Sequence, residues 1–286
     1  MLIARAQRDL GHPDEALQAG YQLAELSKQA DKRELQAQAE ELLGTVYLQR
    51  EDFPQAFDHF QSAFTLAGDG KNRPYEAVHE ADIFIRVGRF ADAERMLALA
   101  LPSNPYVPEL RVQMLLEQRK FAEAEILAAR VAKEPGLPAD VQYDLAVDRA
   151  IAQAFGGHAR SAVTTLPGIA AAEGTPGDPA SVATHNLNTG TVCLAAGDAE
   201  CAFYAAATAE SYFSSAGLKD SDFRSALIAA RAARLRHDAV NEKLFTQKSI
   251  DILTELRNTW SPQLFQSYNS RPDIQSLGRE FLHLSQ

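Results

Sequence analysis

Seven histidines, two cysteines and many carboxylates are the side chains of this chain that could do chemistry. A metal centre needs His, Cys, Asp or Glu ligands at helical or loop spacing. The histidines are scattered, at 12, 59, 79, 158, 185, 237 and 283. His79-Glu80 begins like the two-histidine zinc motif, but the second histidine would fall at position 83, which is Ile83. Cys193 and Cys201 stand eight apart with no CxxC pair. Nucleophilic catalysis needs a serine or cysteine beside a histidine that a carboxylate orients, and no Gly-x-Ser-x-Gly elbow is present. The cysteines read as two small buried thiols rather than reactive ones. Gly68-Asp69-Gly70-Lys71 lacks the spacing and the following Ser or Thr of a phosphate loop. Neighbouring carboxylates such as Asp14-Glu15 and Glu40-Glu41 fall on helix starts and exposed faces, whereas glycosidase chemistry needs two in a cleft. No catalytic residue, metal or cofactor is therefore expected. One basic cluster stands out: Arg224, Arg231, Arg234 and Arg236. It is either a solvated helix face in an acidic chain or a docking point for a carboxylate-bearing partner.

The elements that position these residues follow from composition and periodicity. The 286 residues are 46% hydrophobic and 23% charged, an ordinary globular balance, with alanine runs such as Ala205-Ala206-Ala207 that favour helices and close helix approach. A net charge of -10 argues against nucleic acid, which demands a positive field. No apolar run nears the roughly 18 residues that span a membrane, and Met1-Leu2-Ile3-Ala4-Arg5 turns polar too early for a signal peptide. Two cysteines in a chain this long fit a reducing compartment, and the cytoplasm is the expected location.

The organisation is repetitive. From about residue 37 to 70 the chain carries Leu43-Gly44, Tyr47, Ala56, Phe60 and Ala63. Gly44 and Ala56 suit a place where two antiparallel helices cross, because only small side chains permit that distance. Leu43, Tyr47 and Phe60 fill the space beside the crossing. A turn followed by an aromatic or apolar residue and then alanine recurs, with alanines at 16, 56, 93, 124, 162 and 202. Ser221 caps a further helix to about Arg236, His237-Asp238 turns, and a partner helix runs from Ala239 to about Arg257. The clusters Pro102 to Pro108, Pro135 to Pro138 and Gly174 to Pro179 read as helix stops and turns between pairs.

The Leu-Gly-x-x-Tyr, Ala, Phe, Ala pattern of residues 37–70 resembles the tetratricopeptide repeat, although Glu40 stands where the family has tryptophan and the closing proline is absent. The resemblance implies an all-α fold: a right-handed α-solenoid of about seven antiparallel helix pairs over residues 1–258, with a capping helical segment over 259–286. In that segment Ser261-Pro262 starts a short helix bearing Phe265 and Tyr268. Arg271-Pro272-Asp273 breaks it, and a last helix presents Ile274, Leu277, Phe281 and Leu284. Trp260 belongs to this cap, with ligand anchoring as the competing reading. Few residues precede Gly11, so the chain reads either as the C-terminal part of a larger protein or as one whose start site is placed late. Ser270-Arg271-Pro272-Asp273 also resembles the sensor portions of bacterial serine/threonine kinases and winged-helix regulators, which would put an effector domain upstream.

The resemblance further implies that the first helix of each pair lines a concave face. The lining is then Glu41 and Thr45, then His79, Asp82 and Arg86, then Glu109 and Gln113, then Asp144 and Asp148, then Asn188 and Thr191. Such a groove is acidic toward its middle and favours a basic or polar peptide. The family's terminal-carboxylate grip needs lysines that are missing here; only Asn188 occupies a comparable position. The expected function is a protein-interaction scaffold for a protein or peptide partner, with a ligand-sensing module of a signalling protein as the alternative.

Overall fold

The computed structural model describes residues 13–70, 73–172 and 179–279, without the side chains of residues 167–172. The Gly11-His12 turn, Lys71, the loop at 174–178, and Phe281 and Leu284 of the C-terminal stripe lie outside the described residues.

Among the described residues every regular element is helical. The chain divides into two compact units, Met1–Val107 and Pro108–Gln286. The first holds α1 (Pro13–Gln29), α2 (Arg33–Gln49), α3 (Phe53–Ala67), α4 (Arg73–Arg86) and α5 (Phe90–Leu97). The second holds α6 (Tyr106–Glu117, which starts at the boundary), α7 (Phe121–Val131), α8 (Ala139–Gln153), α9 (Ala159–Ala172), α10 (Pro179–Ala196) and α11 (Ala199–Ala216). It continues with α12 (Lys219–Leu235), α13 (Ala239–Thr259), α14 (Pro262–Asn269) and α15 (Pro272–Gly278). The all-helical paired array expected from the sequence is thus present. Among the described residues the pairs are α2–α3, α4–α5, α6–α7, α8–α9, α10–α11 and α12–α13, and α1 packs on α2 ahead of them. First helices also touch the next first helix, α2 with α4, α8 with α10, and α10 with α12.

Each pair turns at a residue in the left-handed region: Glu51, Gly88, Arg119, Gly157, Gly197 and His237. That conformation reverses the chain in one step, which explains why glycine recurs there and why three other residue types bear a modest strain. Aspartate then caps the second helix in three pairs, with Asp52, Asp198 and Asp238 accepting from the backbone N–H of Gln55, Cys201 and Asn241. Ser261 caps α14 in the same way, as its Ser-Pro signature implies. Ser221 is not a cap: α12 starts earlier, at Lys219, with Leu218 at the boundary. The α8–α9 turn is a wide one, Ala154–His158, which lets Phe155 stack on Phe121 at 4.7 Å.

The small-residue positions do what the pattern implies. A Cβ added at Gly44 would lie 2.7 Å from the Phe60 ring, and one at Gly190 would lie 3.3 Å from Ala206. Ala16, Ala56, Ala93, Ala124, Ala162 and Ala202 are all fully buried. The cysteines correct an expectation. They are not two thiols but one disulfide, joining α10 at Cys193 to the start of α11 at Cys201.

Gly44→Ala provides a test of the crossing. At an open helical site the change would gain about 1 kcal/mol. Here Phe60 is buried and stacked on His79, so it cannot move aside. Urea unfolding is expected to show a net loss of about 1–3 kcal/mol, and any stabilisation would contradict the close crossing.

Candidate functional site

Within the first unit, the structure brings together all five residues expected there. Glu41 and Thr45 sit on α2, and His79, Asp82 and Arg86 form one stripe on α4 at three- and four-residue steps. His79 Nε2 lies 3.5 Å from Glu41 Oε1, bridging consecutive first helices, while its ring stacks on Phe60 at 5.6 Å. Thr45 donates its hydroxyl to the Glu41 carbonyl at 2.8 Å, which fixes the side chain without hiding the carboxylate. Arg86 reaches Asp82 at 3.1 Å. The side chains of His79 and Arg86 are 38% exposed and those of Glu41 and Asp82 are 21% exposed. A partner could therefore reach them.

Behind this stripe α4 buries two more acids, Glu76 and Glu80. Burial pushes the Glu80 carboxyl up to about 7, against the pull of Arg89 and Arg73. The elements beside it carry a second polar cluster that the sequence did not single out as a unit. Tyr21 of α1 and Tyr47 of α2 share a hydrogen bond of 2.8 Å. His59 of α3 stacks on Tyr47 and bonds Glu40 through Nδ1 at 2.7 Å. Burial, and then the Tyr47 contact, push the Tyr21 phenol up to about 12. Glu40 thus ties its helix to His59 on the next, and Tyr21 brings in the helix before through Tyr47.

In the second unit the predicted residues also lie on first helices, but their exposure differs. Glu109 of α6 is buried and accepts a hydrogen bond from Gln113. On α8, Asp144 is exposed and Asp148 is buried. Asn188 and Thr191 of α10 are half-buried, and the Thr191 hydroxyl is turned back onto the Leu187 carbonyl at 2.8 Å. Two of the acids expected to face a partner are therefore covered.

The α14–α15 segment lies against this first-helix side. Trp260 and Tyr268 meet edge to face at 5.2 Å, and Tyr268 donates its hydroxyl to Asp220 of α12 at 2.5 Å. Arg271, only 1% exposed, donates to Asp273 at 2.8 Å and pairs with Glu117 of α6 at 3.1 Å. Arg224 of α12 holds the same Asp273 carboxylate at 2.8 Å. Burial opposes the charge on Arg271, but Asp273, Glu117 and Asp220 outweigh it and hold the guanidinium well above its ordinary range. Burial likewise opposes ionisation of Asp273, and Arg271 and Arg224 reverse that and keep it below the usual carboxylate range. Tyr268 is pushed well up, first by burial and then by Asp220. Arg271, Arg224 and Asp273 therefore stay charged at neutral pH, and Tyr268 stays protonated.

The basic cluster of α12 resolves accordingly. Arg224 binds Asp273, Arg234 binds Glu242 at 2.8 Å, and Arg236 binds Glu200 at 3.2 Å while lying over Phe203. Among the described residues no three His, Cys, Asp or Glu side chains converge as metal ligands, and no helix is long and apolar enough to cross a membrane.

Glu80 makes the first unit's stability depend on pH. Because its folded pKa exceeds its ordinary value, the folded state keeps a proton that the unfolded state releases above about pH 4.5. Stability falls as pH rises from there, and the loss is complete once pH passes about 7. Wild type should lose roughly 1–3 kcal/mol between about pH 5 and pH 8 relative to Glu80→Gln, measured by urea unfolding at each pH. Parallel pH profiles for the two proteins would contradict the buried, protonated carboxyl.

No family model matches the chain, and no curated protein matches it either. Among solved structures it is similar to the crystal structure of PilW, described as a widely conserved type IV pilus biogenesis factor. The two share 16% identity, with a TM-score of 0.49 over 84% of this chain and 97% of that one. A likeness at that level leaves the family of this chain open.

Proposed function

We propose that the chain is a non-catalytic protein-interaction scaffold that binds a protein or peptide partner on its first-helix face. The observation that supports this reading is the solvent-reachable stripe of Glu41, Thr45, His79, Asp82 and Arg86, in which a Glu41–His79 contact joins consecutive first helices into one surface. Two carboxylates on that stripe, in a chain of net charge -10, favour a partner segment bearing lysine or arginine. The double variant Glu41→Lys/Asp82→Lys should weaken binding to an array of lysine- and arginine-bearing peptides about tenfold or more. Asp144→Lys, on the second unit, should leave it nearly unchanged. Equal binding by the wild type and the double variant would overturn the reading.

A second reading, a small-molecule-sensing module of a signalling protein, draws on the polar row of α10, where His185, Asn188 and Thr191 are half-buried. A thermal shift with small metabolites that Asn188→Leu abolishes would favour it over the scaffold.

We propose an oxidising compartment on the strength of the disulfide. A bonded Cys193–Cys201 pair fits an oxidising environment, the opposite of the cytoplasmic location that two thiols would suit. Protein isolated without reductant should resist thiol alkylation at both positions, and reduction should cost about 2 kcal/mol of stability. Full alkylation of both cysteines in unreduced protein would restore the cytoplasmic reading.

A further inference from the structure

The groups that hold the C-terminal helices all belong to first helices. Glu117 lies at the end of α6, and Asp220 and Arg224 lie one turn apart on α12. They receive, in order, Arg271, Tyr268 and Asp273. The surface is therefore patterned acid, acid, base, and each element meets its complement on the segment: a guanidinium, a phenol hydroxyl and a carboxylate. Ile274 is buried beside them and Leu277 packs against the apolar cluster that includes Ile228 and Ala232 of α12.

The segment is built as an occupant rather than as another repeat. Its helices are eight and seven residues long, too short to persist alone in water. Its central attachment is a set of buried charges, whose desolvation offsets much of their attraction, so that they select geometry more than they add stability. It leaves α13 through Trp260 and Ser261, both in extended conformation, a joint with no helical continuity to break.

We propose that this face of α6 and α12 is a recognition surface for a segment carrying Tyr-x-x-Arg-x-Asp across a break between two short helices, and that α14–α15 is its resident occupant, which a partner segment of the same chemistry has to displace. The surface is thereby kept closed to segments that lack either the arginine or the carboxylate. This does not rest on the first unit's stripe being a partner surface, and charge reversal at Glu41 and Asp82 leaves it unaffected.

The test uses a fluorescent synthetic peptide of residues 260–279 and the full chain. In Arg271→Ala the resident segment loses its hold on Glu117, so the peptide, which keeps its own arginine, should bind this variant at least about tenfold more tightly than it binds wild type. Adding Arg224→Ala should weaken that binding about tenfold. Equal binding to wild type and Arg271→Ala, or none to the folded variant, overturns the proposal. Should Arg271→Ala fail to fold, a protease site inserted between Thr259 and Trp260 of the otherwise native chain decides the matter. A cut segment that stays attached and exchanges with added peptide supports the proposal. A cut chain that drops its segment while the rest stays folded, or that unfolds, overturns it.

Discussion

Arg271 is the largest side chain that is wholly buried among the described residues, and a guanidinium in that position must have its charge answered on every side. Three carboxylates surround it, two of them, Glu117 and Asp220, on first helices about one hundred residues apart in sequence. Removing any one partner would strand a buried charge, so α6, α12 and the C-terminal helices are bound to a single arrangement. The same requirement explains why Arg224 turns part of its side chain inward: with Arg271 it neutralises Asp273, the one carboxylate that α14 and α15 bring with them. Part of the first-helix face of the second unit is thus closed by an internal ion network, whereas the first unit's stripe is open to solvent.

A second constraint sets the body of the array. Helices in a pair approach closely enough that Gly44 has no room for a Cβ and Gly190 has little, and the recurring alanines of the second helices are fully buried. Close approach makes each pair a stiff unit with two faces, and contacts between successive first helices line up their side chains on one side. Glu41 and His79 meet for that reason: one comes from each of two neighbouring first helices. Function, on this account, is inherited from packing geometry rather than from any chemically special side chain.

The paired helices were legible because their causes are local. Gly44 and Phe60 lie sixteen residues apart, the left-handed turns fall between adjacent helices, and Asp52 and Ser261 cap the helices that follow them. The stripe on α4 was legible too, since a helical period alone places His79, Asp82 and Arg86 together. Other features depend on partners that no local pattern names. Arg271 and Glu117 are 154 positions apart, and nothing near either residue marks the other. Burial of Glu109 and Asp148 depends on what lies over the first-helix face, which periodicity does not specify. The disulfide escaped because spacing gives two cysteines near one turn but not the facing of their side chains across it. The Tyr21, Tyr47, His59 and Glu40 cluster joins residues from three helices, and its meaning depended on where His59 pointed.

The chain's own C-terminal helices occupy part of the second unit's first-helix face through Arg271. Backbone hydrogen exchange on the intact protein measures this directly. The account predicts that amides of residues 264–278 exchange at least about a hundredfold more slowly than unstructured chain, and that Arg271→Ala abolishes this protection while α12 and α13 stay protected. Protection of α14 and α15 that survives Arg271→Ala, or that is absent in wild type, would contradict it.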